Sequence, residues 1–100
     1  MKVNIQSVNF NISNDLEIFI QDKADNLEKV YDRIIDADVY LKVQNTSEKE
    51  NKIVEIKLNI PKDEFMVKKK CKSFEEGVNL AVDSLKRILR KKKEKQRVNH

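Results

Sequence analysis

The sequence predicts an α+β domain of order β-α-β-β-β-α, a four-stranded sheet with two helices packed on one face. Three observations carry this. Apolar and polar residues alternate in four short segments. Apolar residues recur at helical spacing in two longer segments, one after the first strand and one at the end of the chain. The segments follow one another closely enough that a sheet with one polar and one covered face buries every apolar stripe.

Each element can be justified in turn. In "MKVNIQSVNFNI", Val3, Ile5, Val8, Phe10 and Ile12 read as a first strand whose alternation is broken near Ser7. The period then changes. "SNDLEIFIQDKADNLEKVYDRI" opens with Ser13 or Asn14 as a cap and places Asp15 and Glu17 in the first turn, where the helix dipole favours acids. Stepping 100° per residue puts Leu16, Phe19, Ile20, Ala24, Leu27, Val30, Tyr31 and Ile34 within about 140° of arc. Ile18 falls opposite this stripe. Lys23 falls inside it, so its aliphatic stem is expected to cover the core edge while the ammonium reaches water or a ligand.

Two alternating segments come next, one with Val39, Leu41 and Val43 on a face, the other with Val54, Ile56, Leu58 and Ile60. The polar stretch between them suits a hairpin. Pro61, Lys62 and Asp63 suit a second tight turn into "EFMVKKKCK". There Phe65, Val67 and Cys71 share one face and Lys68, Lys70 and Lys72 the other, with Lys69 in the inward set near an edge or strand end. "SFEE" then has the form of a capping box, Ser73 capping and Glu76 reaching back. From Phe74 through Val78, Ala81, Val82, Leu85, Ile88 and Leu89 the apolar residues fall within about 120° of arc. Lys92 takes the next position of that stripe, so the helix is expected to run a turn or more past the core.

Composition narrows what such a domain does. One hundred residues at 39% hydrophobic and 38% charged content support one modest core under a charged exterior. No stretch approaches the roughly 18 apolar residues of a membrane span, and the N-terminal residues lack a signal-peptide core. A cytoplasmic setting without membrane contact is the expectation. Cys71 is the only cysteine. It has no partner for a disulfide and no cysteine or histidine nearby to share a metal. With no glycine-rich phosphate loop, no histidine but His100, and no paired nucleophile and base, the chain is expected to be no enzyme and to need no cofactor or small-molecule substrate.

Charge is the informative feature. Residues 85–97 carry eight Lys or Arg against one Glu, and residues 1–85 carry thirteen basic against sixteen acidic residues. A body near −3 thus joins a terminus near +7, which together make the net +4. One or two lysines would offset the helix dipole; this many cations point to a phosphate-rich partner. Measured from Leu85, Lys86, Arg87, Arg90 and Lys91 lie at about 100° to 240°, away from the core stripe. They form a basic ridge aimed at solvent.

The last three strands and second helix resemble the double-stranded-RNA-binding domain, a family that places lysines at the start of its last helix. Glu75 and Glu76 stand there instead and would repel phosphate, so duplex recognition of that kind is rejected. Nearly the whole chain resembles another family, the ribosome hibernation promoting factors, or YfiA (RaiA)-type ribosome-associated inhibitors. "MKVNIQSVNFNIS" is similar to that family's first strand. In "IQDKADNLEKVYDRI", Lys23, Leu27, Lys29 and Tyr31 match recurring positions. In "GVNLAVDSLKRILRKKK", Val82, Asp83, Leu85, Arg87, Leu89, Arg90, Lys91 and Lys93 keep the register of the family's closing helix.

The resemblance implies binding to the small ribosomal subunit between head and body, where the protein would overlap the paths of messenger and transfer RNA and stop translation in stationary or stressed cells. Carried over by position, Arg87, Arg90 and Lys91 are the leading candidates for contact with ribosomal RNA, then Lys93 and Lys86, with Lys23 and Lys29 on the first helix. For Lys23 core packing competes with this role, and for Lys29 simple solvation. Lys68, Lys70 and Lys72 would extend the patch. Asn79, Ile88 and Lys92 depart from the family pattern, and Lys92 replaces a common aromatic or histidine, which makes contact more purely electrostatic. The expected organisation is one ribosome-binding domain over residues 1–93 with a short basic tail without fixed structure at 94–100. That corresponds to the family's short form, a monomer off the ribosome that either needs a separate ribosome modulation factor to pair ribosomes or silences single ones. An interaction module for an acidic protein is the alternative that stays open.

Overall fold

Asn9, at φ 70°, ends the first strand. The structure is a computed structural model that describes the backbone of residues 1–98 and the side chains of residues 1–95. Its elements are β1 (Lys2–Val8), α1 (Asn14–Val30), β2 (Asp36–Val43), β3 (Lys52–Ile60), β4 (Asp63–Cys71) and α2 (Phe74–Val98). The order and the α+β class are those the sequence predicts. Phe10 and Ile12, expected within the alternation of the first strand, lie beyond it instead. A left-handed residue cannot continue a strand, and asparagine tolerates that conformation better than most. Phe10 turns inward in the connection and stacks on Phe74 with ring centroids 4.7 Å apart.

The sheet order is β1-β2-β3-β4. β1 and β2 are parallel, with Val3 opposite Ala37 and Ile5 opposite Val39, and α1 makes the crossover that a parallel pair requires. β2, β3 and β4 are antiparallel neighbours, with Val39 opposite Ile56 and Ile56 opposite Val67. This register puts Ala37, Val39, Leu41, Val54, Ile56, Leu58 and Ile60 on one face, all buried. Both helices pack there. Their contributions to the same core include Leu16, Ile20, Leu27, Val78, Val82, Leu85 and Leu89.

Local signals set the helix starts. The amide of Leu16 donates to Ser13 Oγ at 3.1 Å, which identifies Ser13 as the cap of α1. The amide of Glu76 donates to Ser73 Oγ at 3.2 Å. Only this half of the expected capping box forms among the described residues, and the Glu76 side chain is exposed. Pro61 and Lys62 make the two-residue link between β3 and β4, and Lys62 has φ 66°. A proline followed by a positive φ is the pattern of a type II turn. At the other end of the sheet α2 packs close on β3 at Gly77, where an added Cβ would stand 2.6 Å from Val54 Cγ2.

The boundary expected at residue 93 falls inside α2, which stays helical through Val98. Residues 94–98 of the expected tail are therefore helical backbone. Residues 99 and 100 lie outside the described residues. Leu89 is the last fully buried side chain of α2 among the described residues, and the helix runs on for about 13 Å beyond it at 1.5 Å per residue.

Candidate functional site

α2 presents its two flanks to different neighbours. Ile88, Lys91, Lys92 and Lys95 line a cleft with Asp63 and Phe65, so that flank faces β4. On the helical wheel the opposite flank holds Lys86, Arg90 and Lys93, which therefore face α1. Arg87 stands on the crest. On α1 the same reasoning applies, because Asn14, Glu17, Ile18 and Gln21 lie beside Val3 and Ile5 of β1. The other flank of α1, carrying Phe19, Lys23 and Asn26, thus faces α2. The two helices run in the same direction, and the flanks that carry Lys23 on α1 and Lys86, Arg90 and Lys93 on α2 are turned toward one another. Lys29 points away from the sheet.

Exposure follows these positions. Arg87, Arg90, Lys91, Lys93 and Lys29 are exposed, while Lys86 and Lys23 are half-buried. Lys86 thus sits lower on the helix than a solvent-aimed ridge implies, since 100° from Leu85 is the shoulder rather than the crest. Lys23 places its Nζ 5.5 Å from the centroid of the Phe19 ring. Its stem packs and its charge stays at the surface, a cation–π geometry.

None of these seven cations has a carboxylate within ion-pair distance among the described residues. Arg87 donates to Ser84 Oγ at 3.2 Å, one turn back, rather than to Asp83. The ion pairs that do form use the N-terminal amine, which meets Asp25 and Glu28, and three other lysines. Lys57 meets Glu64 at 3.0 Å, Lys70 meets Glu48 at 2.8 Å, and Lys92 meets Asp63 at 3.4 Å. Hydrogen bonding from Lys70 holds the Glu48 carboxyl below its usual pKa. The expected extension of the basic patch along β4 is thereby weakened. Lys70 is already engaged, and Lys68 and Lys70 project from the sheet face opposite the helices, on the same side as Glu55 and Asp38.

Two features escaped sequence reasoning. Lys92 continues the apolar stripe, as expected, but it tethers α2 to the β3–β4 turn through Asp63. Lys95 shares a flank with Ile88 and lines one cleft with Phe65, a juxtaposition that only the packing of α2 on β4 creates. Burial pushes the Cys71 thiol up in pKa, so it stays protonated and unreactive at neutral pH. Among the described residues no group of His, Cys, Asp and Glu could hold a metal ion, and no helix is long and apolar enough to cross a membrane.

Comparison with known proteins places this arrangement. The family described as Sigma 54 modulation protein / S30EA ribosomal protein matches residues 3–97. A ribosome hibernation promoting factor of Pseudomonas putida is 29% identical over 96 residues, covering 96% of this chain and 90% of that protein. One of Azotobacter vinelandii is 28% identical over 96 residues, covering 96% and 86%. Among solved structures, the N-terminal domain of Thermus thermophilus Protein Y superposes with a TM-score of 0.78 at 20% identity, over 91% of this chain and 98% of that one. A ribosomal subunit interface protein from Coxiella burnetii gives 0.82 at 19% identity, over 94% and 99%.

Proposed function

Since the chain belongs to the Sigma 54 modulation protein / S30EA ribosomal protein family, we propose that it is a ribosome hibernation factor, binding the small ribosomal subunit through ribosomal RNA phosphates and blocking the messenger and transfer RNA sites. The reading is supported above all by the state of the basic ridge. Arg87, Arg90, Lys91 and Lys93 are exposed and have no carboxylate partner among the described residues, while a seam from Val78 to Leu89 holds the helix rigidly against the sheet. Cations on a helix fixed in this way meet a polyanion without any ordering of the backbone that carries them. Their charge is also not spent on internal acids.

The mechanism is occupancy. A rigid α+β body carries a basic helix into an RNA-walled channel, phosphate contacts at Arg87, Arg90, Lys91, Lys93 and Lys86 fix its position, and Lys23 and Lys29 add contacts from α1. The volume of the body then excludes competing RNAs, and no bond is made or broken. The relatives from Pseudomonas putida and Azotobacter vinelandii carry the name of this activity. Replacing Arg87, Arg90 and Lys91 together by alanine should cost about 3 kcal/mol or more of subunit affinity, given the worth of hydrogen bonds to charged groups. Melting should stay close to wild type, because these side chains face away from the core. Co-sedimentation with purified small subunits checks it, and a triple variant that still pellets like the wild type refutes the assignment.

A further inference from the structure

We propose that the cleft between α2 and β4 seats one unpaired nucleotide of an RNA strand, its base against Phe65 and its phosphate among Lys91, Lys92 and Lys95. The inference rests on the RNA-binding reading above and gives it a second, chemically different contact.

The cleft holds about 260 Å³ and is lined by Asp63, Phe65, Ile88, Lys91, Lys92 and Lys95. It is smaller than the roughly 300 to 1,000 Å³ of a drug-sized site, a scale that suits one base with its phosphate. Its floor is apolar, with Phe65 and Ile88 half-buried and packed against the core. Its rim is cationic. Asp63 offsets Lys92 at 3.4 Å, which leaves Lys91 and Lys95 without a carboxylate partner among the described residues. An apolar floor with a cationic rim matches a nucleotide, which is flat and apolar on the face of its base and anionic at its phosphate. An acidic peptide would satisfy the lysines and leave the ring uncovered. Paired bases are stacked and present no free face, so the ligand is single-stranded.

The test uses the full chain and a fluorescein-labelled decauridylate, with anisotropy as readout and a duplex of equal length as comparison. Phe65→Leu keeps the apolar volume and removes the ring. It should weaken decauridylate binding about fivefold or more, in line with the loss of one stacked base, and leave the dependence on salt unchanged. Lys95→Ala should weaken binding and flatten the log–log salt slope by about 0.7, as the loss of one single-strand phosphate contact does. Phe65→Tyr, which restores a ring, should bind like the wild type and guards against a folding defect in Phe65→Leu. Decauridylate affinity unaffected by Phe65→Leu, equal affinity for the duplex, or a loss in Phe65→Tyr as large as in Phe65→Leu overturns the proposal. Failure of the parent reading shows elsewhere, in subunit sedimentation of an Arg87→Ala, Arg90→Ala double variant, which leaves every residue of the cleft, Lys91 included, intact.

Discussion

Gly77 illustrates how one residue can carry a constraint that propensity alone misjudges. In an exposed helix, glycine to alanine gains about 1 kcal/mol. Here the new methyl would stand 2.6 Å from Val54 Cγ2 and 3.2 Å from Val54 Cβ, and overpacking of this kind costs about 1 to 3 kcal/mol. Gly77→Ala is therefore expected to lower the melting temperature. Val54→Ala made in the same chain should be less damaging than the sum of the two single changes, because it vacates the space the methyl needs. Thermal melts of the four proteins check this as a cycle. Lys62 is a second such position. It sits at φ 66°, a conformation that costs a side-chain-bearing residue about 1 kcal/mol. Lys62→Gly should thus be neutral or mildly stabilising in a denaturant titration, although it deletes a cation.

At the scale of the element, α2 is one helix with two tasks. Its first four turns bury Phe74, Val78, Ala81, Val82, Leu85 and Leu89, and its later turns carry the cations. Leu85 joins the halves, being fully buried and immediately before Lys86 and Arg87. Leu85→Ala should cost about 2 to 5 kcal/mol by opening a cavity, and it should do so without altering any charge. Equilibrium unfolding measures the loss. An unchanged midpoint would mean that the wheel assigning Arg87 and Arg90 to the outer side is rotated.

For the whole molecule the decisive quantity is the separation of charge. Residues 1–85, near −3, hold out a basic helix end near +7 at residues 85–97, and the described ion pairs neutralise Lys57, Lys70 and Lys92 while sparing the ridge. If about six phosphates are contacted, affinity for small subunits should fall with added salt at a log–log slope of roughly −4 to −5. A titration from low to moderate salt reads it directly. A shallow slope would favour an acidic protein seated by apolar anchors, the alternative that the sequence leaves open.

Periodicity by itself determined the two helices and the three later strands, because burial on one face imposes a spacing of 3.6 or 2 on any chain that folds. It also determined the ridge, since Arg87, Arg90 and Lys91 are placed relative to Leu85 by helix geometry alone. Only the tertiary structure decided where the first strand stops, because Phe10 turns inward to meet Phe74, a residue 64 positions away. Only it decided which lysines are already paired and which flank of α2 faces β4. Those outcomes depend on distances between elements remote in sequence, and local spacing carries no record of them.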